Sequence, residues 1–303
     1  RVPPRTNSVS PVPTETDILN ALERTEKLAR DAHLHPFVLA RVSRVTRLVR
    51  QTLPRVKSTG LGTTESYAVM ATATDYLPEA LGGDGLSVAD IAVVLEEVGR
   101  AGVVIPALET LGFGVLPIVA LGSAEQQKAL LEGIEDGRIL TAAVAEPGSP
   151  LPAAPTVRLD GGTISGTVTS VRYAAQARSV LVPVSTPEGE TLVVVVSPDA
   201  PGVTVTPTLG SLGVPEYAVR FDATPVDDDA VLRGDGEAPA LETFRRLLLA
   251  ACIAHGDGLV SGAMDMTAEY LKERQQFGKP LGAFQAVQQE LADVYIVSRT
   301  LHV

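Results

Sequence analysis

Tyr270–Gln288 reads YLKERQQFGKPLGAFQAVQ. It closes a long apolar run of helical character. Around the corner Gly278-Lys279-Pro280 it gathers one arginine, Arg274, with amides and two aromatics. A guanidinium fork can hold two oxygens of a diphosphate at once. The amides of Gln276 and Gln285 and the flat faces of Phe277 and Phe284 suit a planar heterocycle attached to that diphosphate. The segment therefore reads as a helix end that contacts a dinucleotide. The competing reading is a helix that stops at Gly278 and Pro280 and turns a charged face to water.

Composition sets the frame. The 303 residues suffice for a large core and about two domains. Hydrophobic residues make up 45% of the chain and mean hydropathy is +0.19, which argues against disorder. Apolar runs such as Leu247–Ala254 are short against a bilayer, so no membrane partner is expected. The opening residues RVPPRTNSVSPVPTETD lack the apolar core of a signal peptide, and Arg1 in place of Met implies residues ahead of it. Cys252 is the sole cysteine, which excludes an internal disulfide. Its apolar helical surroundings predict a buried thiol and a reducing, cytoplasmic compartment. The net charge of −11 argues against nucleic acid as a partner. Arg41, Arg44, Arg47 and Arg50 recur every three residues and form one basic helical face, either solvated or set against an acidic chain or a phosphate.

Residues 1–16, rich in Pro, Ser and Thr, read as a mobile arm. Helices are expected over 16–32, over the Arg-rich stretch to Gln51, and over 65–74. Ser87 caps a further helix to Arg100, with Ile91, Val94, Leu95 and Val98 on one face. Another runs from Pro106 to Leu121 and stops at Gly122, and Ser123 opens a short one. After residue 138 seven Val- and Thr-rich runs, from ILTAAVAE to YAVRFDATPV, alternate with Gly, Pro and Asp turns. They predict an antiparallel β domain, a barrel or a sandwich. From Leu241 helix returns, with Leu241, Phe244, Leu247, Leu248, Ala251 and Cys252 on one face as far as about Gln276. A last helix begins near Phe284. The class is α+β, divided as a helical domain 1–137, a β domain 138–236 and an incomplete helical domain 237–303.

This order and these motifs resemble the acyl-CoA dehydrogenases, flavoenzymes that introduce a 2,3-double bond into acyl-CoA thioesters. The stretches LPEALGGDGLSVADIAVVLEEVGRAG, GSAEQQKALLEGIEDGRILTAAVAEPG, PVDDDAVLRG and the corner above carry the resemblance from Leu77 onward. It implies an N-terminal helical domain, a middle β domain and a C-terminal helical bundle, truncated here. It also implies FAD, an acyl-CoA substrate and an electron-transferring flavoprotein as acceptor. In that family the residues matching Arg274, Gln276, Phe277 and Gln285 reach across a subunit interface to the FAD of the neighbouring chain.

The family's own-chain flavin positions look degraded. The segment Thr-Glu-Pro-x-Ala-Gly-Ser-Asp is here Ala145-Glu146-Pro147-Gly148-Ser149-Pro150, with a methyl where a hydroxyl is expected. Gly-x-Lys-x-Trp-Ile-Thr-Asn is here Gly166 to Tyr173, with Ser170 for the Trp and Arg172 for the Thr. Where some members carry the glutamate base, Phe244–Leu249 reads FRRLLL and has no carboxylate. Glu242 is expected to serve the helix dipole, His255 to be a satisfied interface group, and Asp257 and Asp265 to be surface or capping acids. A degraded own-chain site beside a complete site for a neighbour resembles one subunit of the actinobacterial heteromeric, sterol-type members. Two alternatives stay open: a self-sufficient enzyme whose base lies beyond residue 303, and a flavin-free structural subunit of the same fold.

Overall fold

The computed structural model describes residues 77–301, without 79–80, 82, 84, 86, 103–104, 135–137, 211–213, 235 and 237. The arm 1–16, the three earliest helices and the basic face of Arg41 to Arg50 lie outside the described residues.

Helix α1 (Val88–Ala101) is fixed at both ends. The Asp90 carboxylate accepts from the Ser87 amide at 2.8 Å and from its hydroxyl at 2.7 Å. Gly102 closes the other end in the left-handed region. Ile91, Val94 and Leu95 form its buried stripe. Next, a π-helical segment (Leu108–Val115) runs directly into an α-helix (Leu116–Leu121), together α2. Ser123 caps α3 (Ala124–Leu131), and the Gln126 side-chain amide donates to the carbonyls of Asp229 at 2.7 Å and Val231 at 3.0 Å.

The seven β runs all form strands: β1 (Ile139–Ala142), β2 (Arg158–Asp160), β3 (Thr163–Arg172), β4 (Ala177–Ser185), β5 (Thr191–Val196), β6 (Val203–Thr208) and β7 (Glu216–Pro225). The two-residue β8 (Val231–Leu232) is an addition too short to leave a sequence pattern. The sheet runs β6-β7-β3-β2-β4-β5-β8, with β1 beside β4. Most ladders are antiparallel as expected, but β1 and β2 pair with β4 in parallel, so the sheet is mixed. Central β4 and β5 are buried along nearly their whole length, as their unbroken valine runs require. Val157, Ile164, Val168, Val182, Val194 and Phe221 lie in their core.

The 34-residue α4 (Ala240–Glu273) packs on α1, α2 and β5. By length and composition it could cross a membrane, which the short apolar runs of the sequence had not suggested. In this fold its glycine face lies instead against α1. A Cβ on Gly258 would stand 1.9 Å from the Glu96 carbonyl oxygen, one on Gly262 2.2 Å from that of Arg100, and one on Gly99 2.3 Å from that of His255. Arg100 reaches across to Asp265 at 3.0 Å.

Helix α4 stops at Glu273, short of the expected Gln276, because Arg274 turns to an extended ψ of 119°. Strands β9 (Gln275–Gln276) and β10 (Lys279–Pro280) then pair, and α5 (Gln285–Leu301) runs back beside α4. Two expectations on α4 are corrected. Cys252 is exposed, not buried, because it lies 100° round the helix from buried Ala251. Asp257 is buried, not superficial, because it precedes Gly258 in the stretch of α4 that packs closely on α1. One turn further on, the Ser261 hydroxyl stands 3.5 Å from that of Ser298.

A prediction follows from the α1–α4 contact. Gly258→Ala should cost at least about 3 kcal/mol in urea unfolding, since backbone has to move to admit the methyl. Gly256→Ala, with open space around its Cβ, should instead stabilise by up to about 1 kcal/mol. Equal effects at the two positions would refute a backbone-limited contact.

Candidate functional site

At the end of α4 the Arg274 amide still donates to the Tyr270 carbonyl at 2.9 Å, while its own carbonyl accepts from Leu281 at 2.8 Å. Gln276 then pairs with Lys279 across a two-residue turn in which Phe277 (φ 52°) and Gly278 (φ 77°) are both left-handed. Two successive positive φ values define the tight hairpin turn that suits strand twist, though phenylalanine rarely occupies one. The turn leaves the Phe277 ring 93% exposed and edge-on to Phe284, with centroids 6.3 Å apart. Lys279 Nζ sits 4.2 Å above the Phe284 ring. Gln285 opens α5.

Arg274, Gln276, Phe277 and Gln285 are therefore brought to one exposed corner. Arg274 has no ion pair or side-chain hydrogen bond among the described residues. A free guanidinium fork, two amides and a bare aromatic ring fit a diphosphate joined to a flat heterocycle.

The own-chain positions behave differently. The Ala145 carbonyl accepts from Thr169 at 2.8 Å, which places it beside β3. Pro147 and Gly148 form a tight turn closed by two 2.9 Å bonds between Glu146 and Ser149. The Glu146 carboxylate is buried and accepts from the Thr156 amide at 2.6 Å. Ser170 is exposed, left-handed at φ 54°, and sits in the β3 bulge between Val168 and Val171. Arg172 pairs with Glu109 at 3.4 Å, and its carbonyl accepts from the Thr141 hydroxyl at 2.9 Å. Glu146 and Arg172 are thus engaged within the chain.

Glu109 and Tyr173 are the residues that sequence reasoning missed. Glu109 is buried in the π-helical part of α2, a geometry frequent at functional sites. Burial raises its pKa against the opposing pull of Arg172. Burial, then the nearby Glu109 charge, pushes Tyr173 up to about 12. The signal was present: Glu109 is the lone acid in the apolar run Pro106–Leu121. On the facing side of α4, His255 Nδ1 meets the Leu95 carbonyl at 3.2 Å and burial lowers its pKa, so it is the interface group expected. Glu242 pairs with Arg246 one turn on. Asp265 is exposed, as expected.

Comparison with known proteins bears on this arrangement. Residues 66–138 match the model of the acyl-CoA dehydrogenase N-terminal domain, and residues 240–302 that of the acyl-CoA dehydrogenase C-terminal domain. Acyl-CoA dehydrogenase FadE28 of Mycobacterium tuberculosis is 46% identical over 225 residues, which is 74% of this chain and 64% of FadE28. The chain thus spans less than two thirds of that relative's length. Among solved structures, the Tcur3481-Tcur3483 steroid ACAD superposes with a TM-score of 0.70 at 35% identity, over 92% of this chain and 74% of that one. The ChsE4-ChsE5 complex from Mycobacterium tuberculosis gives 0.68 at 26% identity, with the same coverage.

The buried Glu109 yields a signed prediction. Because burial raises its folded pKa, the stability it contributes is complete below the ordinary carboxylate value and is lost as pH rises through the folded value. Glu109→Gln deletes that loss. In urea titrations from mildly acidic to neutral pH, the variant should lose less stability than the wild type. Parallel curves would mean that Glu109 does not titrate in this range.

Proposed function

The chain belongs to the acyl-CoA dehydrogenase family, and from that premise we propose that it is one subunit of a heteromeric, FAD-dependent enzyme that desaturates an acyl-CoA thioester. Its relatives include a steroid ACAD and a two-component complex, which supports a bulky steroid-type acyl group and a second, catalytic chain as partner. The reading includes three domains at 1–137, 138–236 and 237–303, a place in steroid β-oxidation in the cytoplasm, and an electron-transferring flavoprotein as acceptor.

One observation carries the reading. Arg245 donates to the carbonyls of Pro152 and Ala153, just after the Ala145–Pro150 segment. Arg274 lies on the same helix, 29 residues further on, or about 43 Å along its axis. One flavin cannot bridge that distance, so the exposed corner serves a neighbour's cofactor. When bound, FAD accepts the hydride from the acyl β-carbon. This chain's part is to hold it: Arg274 on the diphosphate, Phe277 against a flat face, Gln276 and Gln285 as hydrogen-bonding amides. Its own-chain positions, Ala145, Glu146, Ser170 and Arg172, contribute little, with Glu146 and Arg172 already engaged. The α-proton is removed by a glutamate of the partner chain, since Phe244–Leu249 offers no carboxylate.

The test is flavin absorbance and native mass for the chain alone and co-expressed with a full-length acyl-CoA dehydrogenase chain encoded beside it. Flavin should appear only on the mixed oligomer. Flavin on a homo-oligomer would favour a self-sufficient enzyme, and none in either sample a structural subunit. Arg274→Ala should weaken FAD retention in the mixed oligomer by about 2 kcal/mol, and unchanged occupancy would count against the corner. Glu242→Gln should leave turnover of the assembly unaltered. A loss on the order of a thousandfold would put the base on this chain.

A further inference from the structure

The hairpin after α4 sorts its side chains onto two faces. Gln276 and Lys279 stand directly opposite each other in the β9–β10 pair, so their side chains leave on the same face. Arg274 belongs to that face as well. It precedes Gln276 by two residues, its backbone is extended at ψ 119°, and its carbonyl continues the ladder by accepting from Leu281 at 2.8 Å. Gln275 and Pro280 fall on the other face. One face of the corner therefore carries the cations of Arg274 and Lys279 together with the amide of Gln276.

Neither cation is neutralised by a carboxylate among the described residues. Lys272, in the last turn of α4, is held by Glu269 at 2.6 Å. Lys279 instead rests its ammonium 4.2 Å from the centre of the Phe284 ring. A ring face orients an ammonium but cancels none of its charge, and at an exposed site it holds the cation less firmly than a charge-assisted hydrogen bond does. Lys279 is thus kept on this face, charged and free to exchange the ring for an anion. In a chain of net charge −11, two uncompensated cations set side by side mark a place where negative charge arrives. A diphosphate carries a negative charge on each phosphate, and the single charge of Arg274 balances one of them.

We propose that Lys279 is a second diphosphate-binding cation of this corner, with the Phe284 ring as its resting place in the free chain. The inference rests on the reading of the corner as a site for a neighbour's FAD and adds a residue to it.

The test is titration of FAD into the flavin-stripped mixed oligomer, followed by quenching of flavin fluorescence, at low salt and in about 1 M NaCl. Lys279→Gln should raise the FAD Kd about tenfold at low salt. The gap should close in concentrated salt, where charges are screened within about 3 Å. Lys279→Arg, which keeps the charge, should bind closer to the wild type than Lys279→Gln does. Lys272→Gln, which removes a cation outside the hairpin, should leave the Kd unchanged. Coenzyme A also contains a diphosphate, and its Kd should be the same in the wild type and in Lys279→Gln. An unchanged FAD Kd in Lys279→Gln beside a raised one in Arg274→Ala would overturn the role of the lysine and leave the corner standing. Unchanged values in both variants would overturn the corner and the lysine with it, as would a mixed oligomer that takes up no flavin. A loss confined to coenzyme A would assign Lys279 to the thioester carrier and overturn its role toward FAD. A loss equally large in concentrated salt would mean that Lys279 acts by packing on Phe284, which overturns a charge contact.

Discussion

Between α1 and α4 the backbones approach so closely that Gly99, Gly258 and Gly262 have no room for a Cβ. This contact fixes the roll of a 34-residue helix about its own axis, and most other features follow from that angle. With the glycines turned to α1, Phe244, Leu248 and Ala251 are the residues left to fill the core. Ser261 then meets Ser298 of the returning α5. A few tenths of an ångström of extra separation would loosen every one of these relations together, since packed interiors have little slack.

The sheet end shows a complementary economy. Two polar side chains there are already engaged within the chain. The Glu146 carboxylate closes its own loop through Thr156, and the Arg172 guanidinium faces the buried Glu109. A buried carboxylate with a half-exposed arginine is a costly arrangement that persists only when geometry holds both members. Here the π-helical turn of α2 and the end of β3 supply that geometry. The far corner is built the opposite way. Its backbone is closed by Leu281 and Gln288, while Arg274 has no ion pair or side-chain hydrogen bond among the described residues.

Much of this was legible in the sequence. Valine and threonine runs gave all seven long strands because burial on one or both faces leaves a two-residue or continuous apolar pattern. Ser87 and Ser123 marked helix starts because a hydroxyl or carboxylate at that place satisfies free amides. The motif from Arg274 to Gln285 was legible as a cluster, and the structure arranges it around one hairpin, with Arg274 before it and Gln285 opening α5. Other features left no local trace. The parallel pairing of β1 with β4 is a property of topology, not of either strand. Cys252 and Asp257 were misplaced because the run of apolar and small residues around them does not show which side of α4 faces α1. Arg274 was read as helical because nothing nearby signals that Phe277 accepts a left-handed backbone. Glu109 was passed over because a single acid in an apolar run has no spacing to recognise.

The α1–α4 contact also has a consequence in time. The chain is made from its amino end, and 139 residues separate Ala101 from Ala240. At ordinary rates of translation, α1 leaves the ribosome roughly seven to thirty seconds before the first turn of α4. Every strand of the sheet emerges in that interval, so all their partners are made before α4. The strands can pair while α1 still waits for α4, and the helical layer closes only after α4 has emerged.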